Sequence, residues 1–186
     1  MTQKSDFRHI NRRKALSLCT TAAALAVVPG FAHAGLADRR ALTLHNLHTG
    51  EKLSTVYWAD GAYLPAPLSA IATLCRDFRT GDDHPIDRRL LDFVYSALQL
   101  LETSKPVELI SGYRSPKTNA QLASRSSGVA RRSLHMQGKA LDIRVPGISS
   151  ARVSRAALAQ KSGGVGLYSA SNFVHIDTGR VRRWVG

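Results

Sequence analysis

The chain has 186 residues, 44% of them hydrophobic, which suffices for one core and is too little for two independent ones. Its 26 Lys and Arg against 13 Asp and Glu give a formal charge of +13, which excludes an acidic chain and points to an anionic partner. No recognition motif for nucleic acid accompanies the charge, and two cysteines are too few for a disulfide framework.

Residues 1–34 read as an export signal: "NRRK" at 11–14, the apolar run "ALSLCTTAAALAVV", then Pro29 and "AHA" at 32–34. The Arg12-Arg13 pair ahead of a weakly hydrophobic, Ala-rich run suggests the twin-arginine route, so the expected location is the periplasm. The run is too short and too Pro-interrupted to make a stable membrane span. Removing the signal takes five basic residues and one acidic one, leaving a basic domain of +9 over residues 35–186. Cys19 goes with the signal. Cys75 remains, at helical spacing with Leu68, Ile71, Ala72 and Phe78, and is expected to be a buried structural thiol.

Within the domain, "RALTLHNL" (40–47) and "KLSTVYW" (52–58) alternate around "HTGE" and predict a hairpin, with His45 and His48 at its surface. Helices are expected over 66–79 and 87–103, the second largely apolar and central, separated by a turn at 80–85 whose His84 is exposed. "VELISG" (107–112) predicts a strand, and Pro116 opens a short helix before an Arg- and Gly-containing loop at 125–133. "ALDIRV" is a strand, residues 149–161 form an amphipathic helix capped by Ser149 or Ser150, and "GGVG" (163–166) is a glycine turn. "GLY", "NFVHIDT" and "RVRRWVG" are short strands. No internal repeat is present.

Alternation along "ALDIRV" puts Leu141, Ile143 and Val145 on one face and Asp142 on the other; along "NFVHIDT" it groups Phe173, His175 and Asp177. If the two strands are neighbours, Asp142 and His175 share a cleft, and His135 can join them from the preceding loop, which Gly138 lets turn tightly. Two imidazoles and a carboxylate are a set zinc favours in catalytic sites, leaving a position for water. Spacing alone equally allows a loop histidine, an edge-strand aspartate and a satisfied core histidine.

"SGYRS" (111–115), "S-x-H-x-x-G-x-A-x-D" (133–142) and "GGVGLY…NFVHIDTG" (163–179) together resemble the zinc peptidases related to D-alanyl-D-alanine carboxypeptidases and VanX, with hedgehog-type proteins as more distant kin. Within that family the resemblance is to the twin-arginine-exported murein endopeptidases, and it runs from "NRRK" through "LTLHNLHTGE" to the terminal "RRW". It implies that His135, Asp142 and His175 hold zinc, that Arg114 grips a substrate carboxylate, and that the Ser133 hydroxyl bonds the same group. Several relatives carry an acidic residue three positions before the last histidine ligand. Here that position is Asn172, so Asp177 is the remaining candidate for general base, with orientation of an imidazole as its other reading.

The expectation is an α+β domain, a small antiparallel sheet bearing the zinc site on one face with helices packed on the other. The expected activity is cleavage of peptidoglycan peptide cross-links, as an L,D-endopeptidase between meso-diaminopimelate residues, by a monomer with peptidoglycan peptide stems as its partner and no nucleic acid. The alternatives are a D,D-carboxypeptidase and a non-catalytic, zinc-stabilised wall-binding module.

Overall fold

The structure, a computed structural model, describes residues 39–126 and 128–186. The export signal read over 1–34, with Cys19, lies outside the described residues. The domain is α+β. Its eight strands are β1 (Arg39–Asn46), β2 (Lys52–Ala59), β3 (Ala62–Tyr63), β4 (Val107–Ser111), β5 (Ala140–Arg144), β6 (Gly164–Tyr168), β7 (Phe173–Asp177) and β8 (Arg182–Val185). They form one sheet in the order β3-β2-β1-β4-β5-β7-β6-β8.

That sheet is larger than expected and mixed. β1 pairs parallel with β4, because the helices between them return the chain across one face, and β6 pairs parallel with β8. The other pairings are antiparallel. Helices α1 (Pro65–Leu74), α2 (Arg88–Leu100) and α4 (Ser150–Ala159) cover one face: α1 packs on β2, α2 on β1 and β7, and α4 on β6, β7 and α2. Buried Leu90, Leu91, Phe93, Val94, Ala97 and Leu98 form the inner stripe of α2 and meet Leu141, Ile143, Val174 and Ile176 from the sheet in one core. No helix among the described residues is long and apolar enough to cross a membrane.

Three local readings change. The first helix stops at Leu74 instead of reaching Arg79, because the Asp77 carboxylate accepts from Arg79 N at 3.0 Å while Asp77 N donates to Asp82 O at 2.8 Å. That turn captures the groups a further helical turn would need. "GGVG" is no turn: Gly164 to Gly166 lie in β6. His84 is half-buried, its ring stacked on Tyr113 at 5.1 Å. Cys75 is buried as expected, and burial pushes its thiol up to about 12.

Asp77 ties the end of α1 to the loop that follows β4. Its Oδ2 accepts from Ser115 N at 2.9 Å and from Ser115 Oγ at 2.7 Å. Burial works against the charge, but hydrogen bonds from Thr118 and Ser115 and backbone N–H groups outweigh it and hold the carboxyl below its usual range. A depressed folded-state pKa contributes stability that is full above the unfolded value of about 3.9 and is lost as pH falls from there through the lower folded-state value. Asp77→Asn should therefore lower unfolding free energy by roughly 1–3 kcal/mol at neutral pH. Urea titrations across about pH 2–6 should also show a shallower acid loss in the variant below about pH 4; parallel curves would count against this role.

Candidate metal centre

The register of β5 against β7 sets Asp142 directly opposite His175, and Ala140 opposite Asp177. Both strands bury their alternate apolar residues in the core, so Asp142 and His175 emerge on the face the three packing helices leave uncovered. His135 comes from a 3-10 turn, Leu134–Gln137, that ends at Gly138 with φ of 62°. A Cβ at Gly138 would lie 2.1 Å from the Pro85 carbonyl oxygen, so glycine is required for both conformation and space.

These elements bring the three side chains together. Asp142 Oδ1 lies 2.8 Å from His175 Nδ1 and 3.3 Å from His135 Nε2, and the two imidazole nitrogens are 3.3 Å apart. One ligand atom from each falls within 4.8 Å of the others. The far nitrogen of each ring is engaged: His135 Nδ1–H donates to Gly112 O at 2.7 Å, and His175 Nε2–H donates to Asp177 Oδ2 at 3.0 Å. His135 Nε2 and His175 Nδ1 are therefore the ring nitrogens turned toward Asp142. Two oriented imidazoles and a carboxylate with hydrogen bonds behind them are the donor set a zinc ion takes, so the residues fit a metal.

The electrostatics favour positive charge among these groups. Burial alone would raise the Asp142 carboxyl, yet the neighbouring His135 and His175 hold it well below the usual range. His175 is opposed by burial and favoured by Asp142 and Asp177, which together push it up to about 8. Asp177 is 0% exposed. Burial disfavours its charge, but hydrogen bonds from His175, Arg182 and Gly179 N outweigh this and keep it ionised.

Over the three ligand residues lies a cleft of about 490 Å³, lined by Arg114, Arg132, Ser133, Tyr168, Phe173 and Trp184 among others. Arg114 is largely buried; its Nη2 reaches Ser111 Oγ at 3.1 Å and Asp142 Oδ2 at 3.6 Å, while its Nε has no hydrogen-bond partner. Ser133 caps the 3-10 turn, its Oγ accepting from His135 N at 3.3 Å, so its own proton stays available. Asn172 lies outside this lining, in the exposed turn before β7 at φ of 50°, a conformation asparagine tolerates well. Asp142 is the one carboxylate among the cleft's described lining residues.

Several contributors were not singled out from sequence. Trp184 of β8 lies with its ring 5.2 Å from that of His175 and donates from Nε1 to Tyr168 Oη at 3.0 Å. Gly166 makes room for it, since a Cβ there would come within 2.4 Å of the indole. The only sequence signal for this arrangement was the alternation of glycines in "GGVG", read above as a turn.

Comparison with known proteins identifies the family. The family model described as "Peptidoglycan L,D-endopeptidase MepK" matches residues 34–184. The peptidoglycan L,D-endopeptidase MepK of Escherichia coli strain K12 is 45% identical over 176 residues, covering 94% of this chain and 97% of that protein. The Haemophilus influenzae protein named probable peptidoglycan L,D-endopeptidase MepK is 39% identical over 179 residues, 95% of this chain and 96% of its own length. No solved structure matches. With a family match across most of its length and full-length relatives above the level at which fold and chemistry are shared, the chain belongs to the MepK family of peptidases.

Proposed function

We propose that the chain is an exported, zinc-dependent peptidoglycan hydrolase of the periplasm, cutting L,D cross-links between meso-diaminopimelate residues. The observation that carries this reading is the convergence of His135, Asp142 and His175, each imidazole braced from behind, beneath a cleft that contains a buried arginine. Residues 1–34 would direct export by the twin-arginine route, and residues 35–186 would form the catalytic domain. The choice of an L,D bond in peptidoglycan follows the activity for which the relatives are named.

His135 Nε2, Asp142 and His175 Nδ1 would hold the metal. A zinc ion there supplies Lewis acidity toward a peptide carbonyl and an activated water near neutral pH. Arg114 lines the cleft and presents a charged, planar donor to a carboxylate beside the scissile bond. Ser133 offers its hydroxyl proton to the same carboxylate. Tyr168 Oη accepts from Trp184 and keeps its own proton to donate into the cleft. Asp177, with no exposed surface and its oxygens occupied, acts in this reading by orienting His175 and not as the base.

Charge favours a polyanionic substrate. Residues 39–111 hold eight Lys and Arg against nine Asp and Glu, whereas residues 112–186 hold thirteen against two, and those two are Asp142 and Asp177. The half of the domain that builds the cleft is therefore strongly basic. Carboxylate-bearing peptide stems are the matching surface.

Digestion of purified muropeptides by residues 35–186, with zinc and with chelator, tests the activity. Chelator-sensitive conversion of 3-3 cross-linked dimers to monomers, read by mass spectrometry, is the expected result; release of terminal D-alanine alone would reassign the bond. Arg114→Ala should lower kcat/KM by about thirtyfold or more, the cost of removing a buried charged partner. With intact sacculi, KM should rise steeply with sodium chloride while that for a small soluble dimer changes little. Equal salt responses would remove the polyanion argument.

A further inference from the structure

Arg182 lines the cleft, yet its guanidinium is committed to Asp177, behind His175. It sits in β8, separated from β7 by β6, and the cross-strand register aligns Ala140, Asp177, Gly164 and Arg182 in one row. To reach Asp177 the side chain must cross the middle strand. It does so over Gly164: Nη1 lies 2.9 Å from Asp177 Oδ1 and Nη2 lies 2.7 Å from Oδ2. A Cβ on Gly164 would stand 2.3 Å from Arg182 Nη1 and 2.5 Å from Asp177 Oδ2, so the crossing exists only because that position has no side chain.

Asp177 is gripped from several directions. Gly179 N donates to Oδ1 at 2.8 Å and Gly164 N to the same oxygen at 3.3 Å, leaving Oδ2 for Arg182 and for His175 Nε2–H. A carboxylate with two backbone donors on one oxygen can still rock about its Cβ–Cγ bond. A planar fork on both oxygens removes that freedom.

We propose that Arg182 is a positioning residue for the metal centre: through the clamp across Gly164 it fixes Asp177 Oδ2, which holds His175 Nε2–H and so aims His175 Nδ1 at the ligand position. The inference rests on the reading that His135, Asp142 and His175 hold zinc. Its alternative is an ion pair that merely fastens β8 to the sheet. A fastening role predicts loss of stability without a change in the metal's surroundings, and a positioning role predicts the reverse emphasis.

The experiment is zinc competition against a chromogenic chelator, with the visible absorption of the cobalt-loaded protein, on residues 35–186 and on R182Q, R182K, G164A and R183Q. Melting of each metal-free protein checks its fold. R182Q should weaken zinc binding by about 10–100-fold, the usual cost of removing a group that orients a ligand, and should change the cobalt bands. R182K keeps the charge without the fork and should lose less, about threefold or more. G164A, which removes no functional group, should resemble R182Q. R183Q, altering an exposed neighbour, should match the unaltered domain.

Zinc affinity within twofold of the unaltered domain and an unchanged cobalt spectrum in folded R182Q would overturn the proposal. Should R182Q fail to fold, R182K decides: weakened zinc with altered bands supports the role, and unchanged values overturn it. If the unaltered domain itself binds no zinc, the reading of the site fails first, and the two failures are thereby distinguished.

Discussion

The pairing register of β5 against β7 governs the centre. Side chains on a strand alternate with a period of two, so sliding one strand by a single residue would set Asp142 against Val174 or Ile176, which face the core. What prevents the slip lies on the opposite face. Leu141, Ile143, Val174 and Ile176 are all buried there, each contributing roughly 1.5–3 kcal/mol relative to exposure. Four such side chains fix the register from the apolar face alone. The core thus sets Asp142 and His175 opposite each other.

His135 arrives on a loop, and loops are the least constrained way to present a ligand. Here the loop is tied down by backbone bonds. Arg114 N donates to His135 O at 3.2 Å, and Asp87 N donates to Gly138 O at 2.9 Å. The return contact from His135 Nδ1 to Gly112 O links the ligand to the segment that carries Arg114. That segment is itself fixed to the end of α1, where Tyr113 N donates to Cys75 O at 2.7 Å and Asp77 holds Ser115. A Cβ at Gly112 would meet Cys75 O at 2.3 Å, which accounts for the glycine of "SGYR". The group that would grip a carboxylate and the group that would hold the metal therefore move as one body.

Much of this was legible from local pattern. Alternation in "ALDIRV" and "NFVHIDT" assigned Asp142 and His175 to the polar face, and apolar periodicity located α2 and α4 within a few residues. What escaped depends on partners distant in sequence. The early end of α1 follows from a turn closed by Asp77, whose value as an acceptor depends on Ser115, thirty-eight residues on. "GGVG" read as a turn because glycine usually marks one; the glycines are instead the cleared floor over which Arg182 and Trp184 reach β7. The parallel neighbours β1 and β4 join strands with two helices between them, a choice no short window contains. Asn172 carried a different ambiguity: its place before the last histidine suggested a catalytic position, whereas the positive φ of the turn explains an asparagine there on conformational grounds alone.

The charge distribution divides the work between short and long range. A divalent cation entering a basic half-domain is repelled by every arginine, but at about 10 Å in water each such repulsion is only about 0.8 kcal/mol and salt reduces it further. Ligation at contact distance in a buried pocket is far stronger, so the surrounding field does not prevent a metal from binding. The same weak field, summed over many arginines, acts coherently on a polymer that carries many carboxylates. With acidic residues excluded from the cleft-forming half, apart from the two within the centre, metal affinity would rest on His135, Asp142 and His175 with their supports, and capture of a polyanion would fall to the surface as a whole.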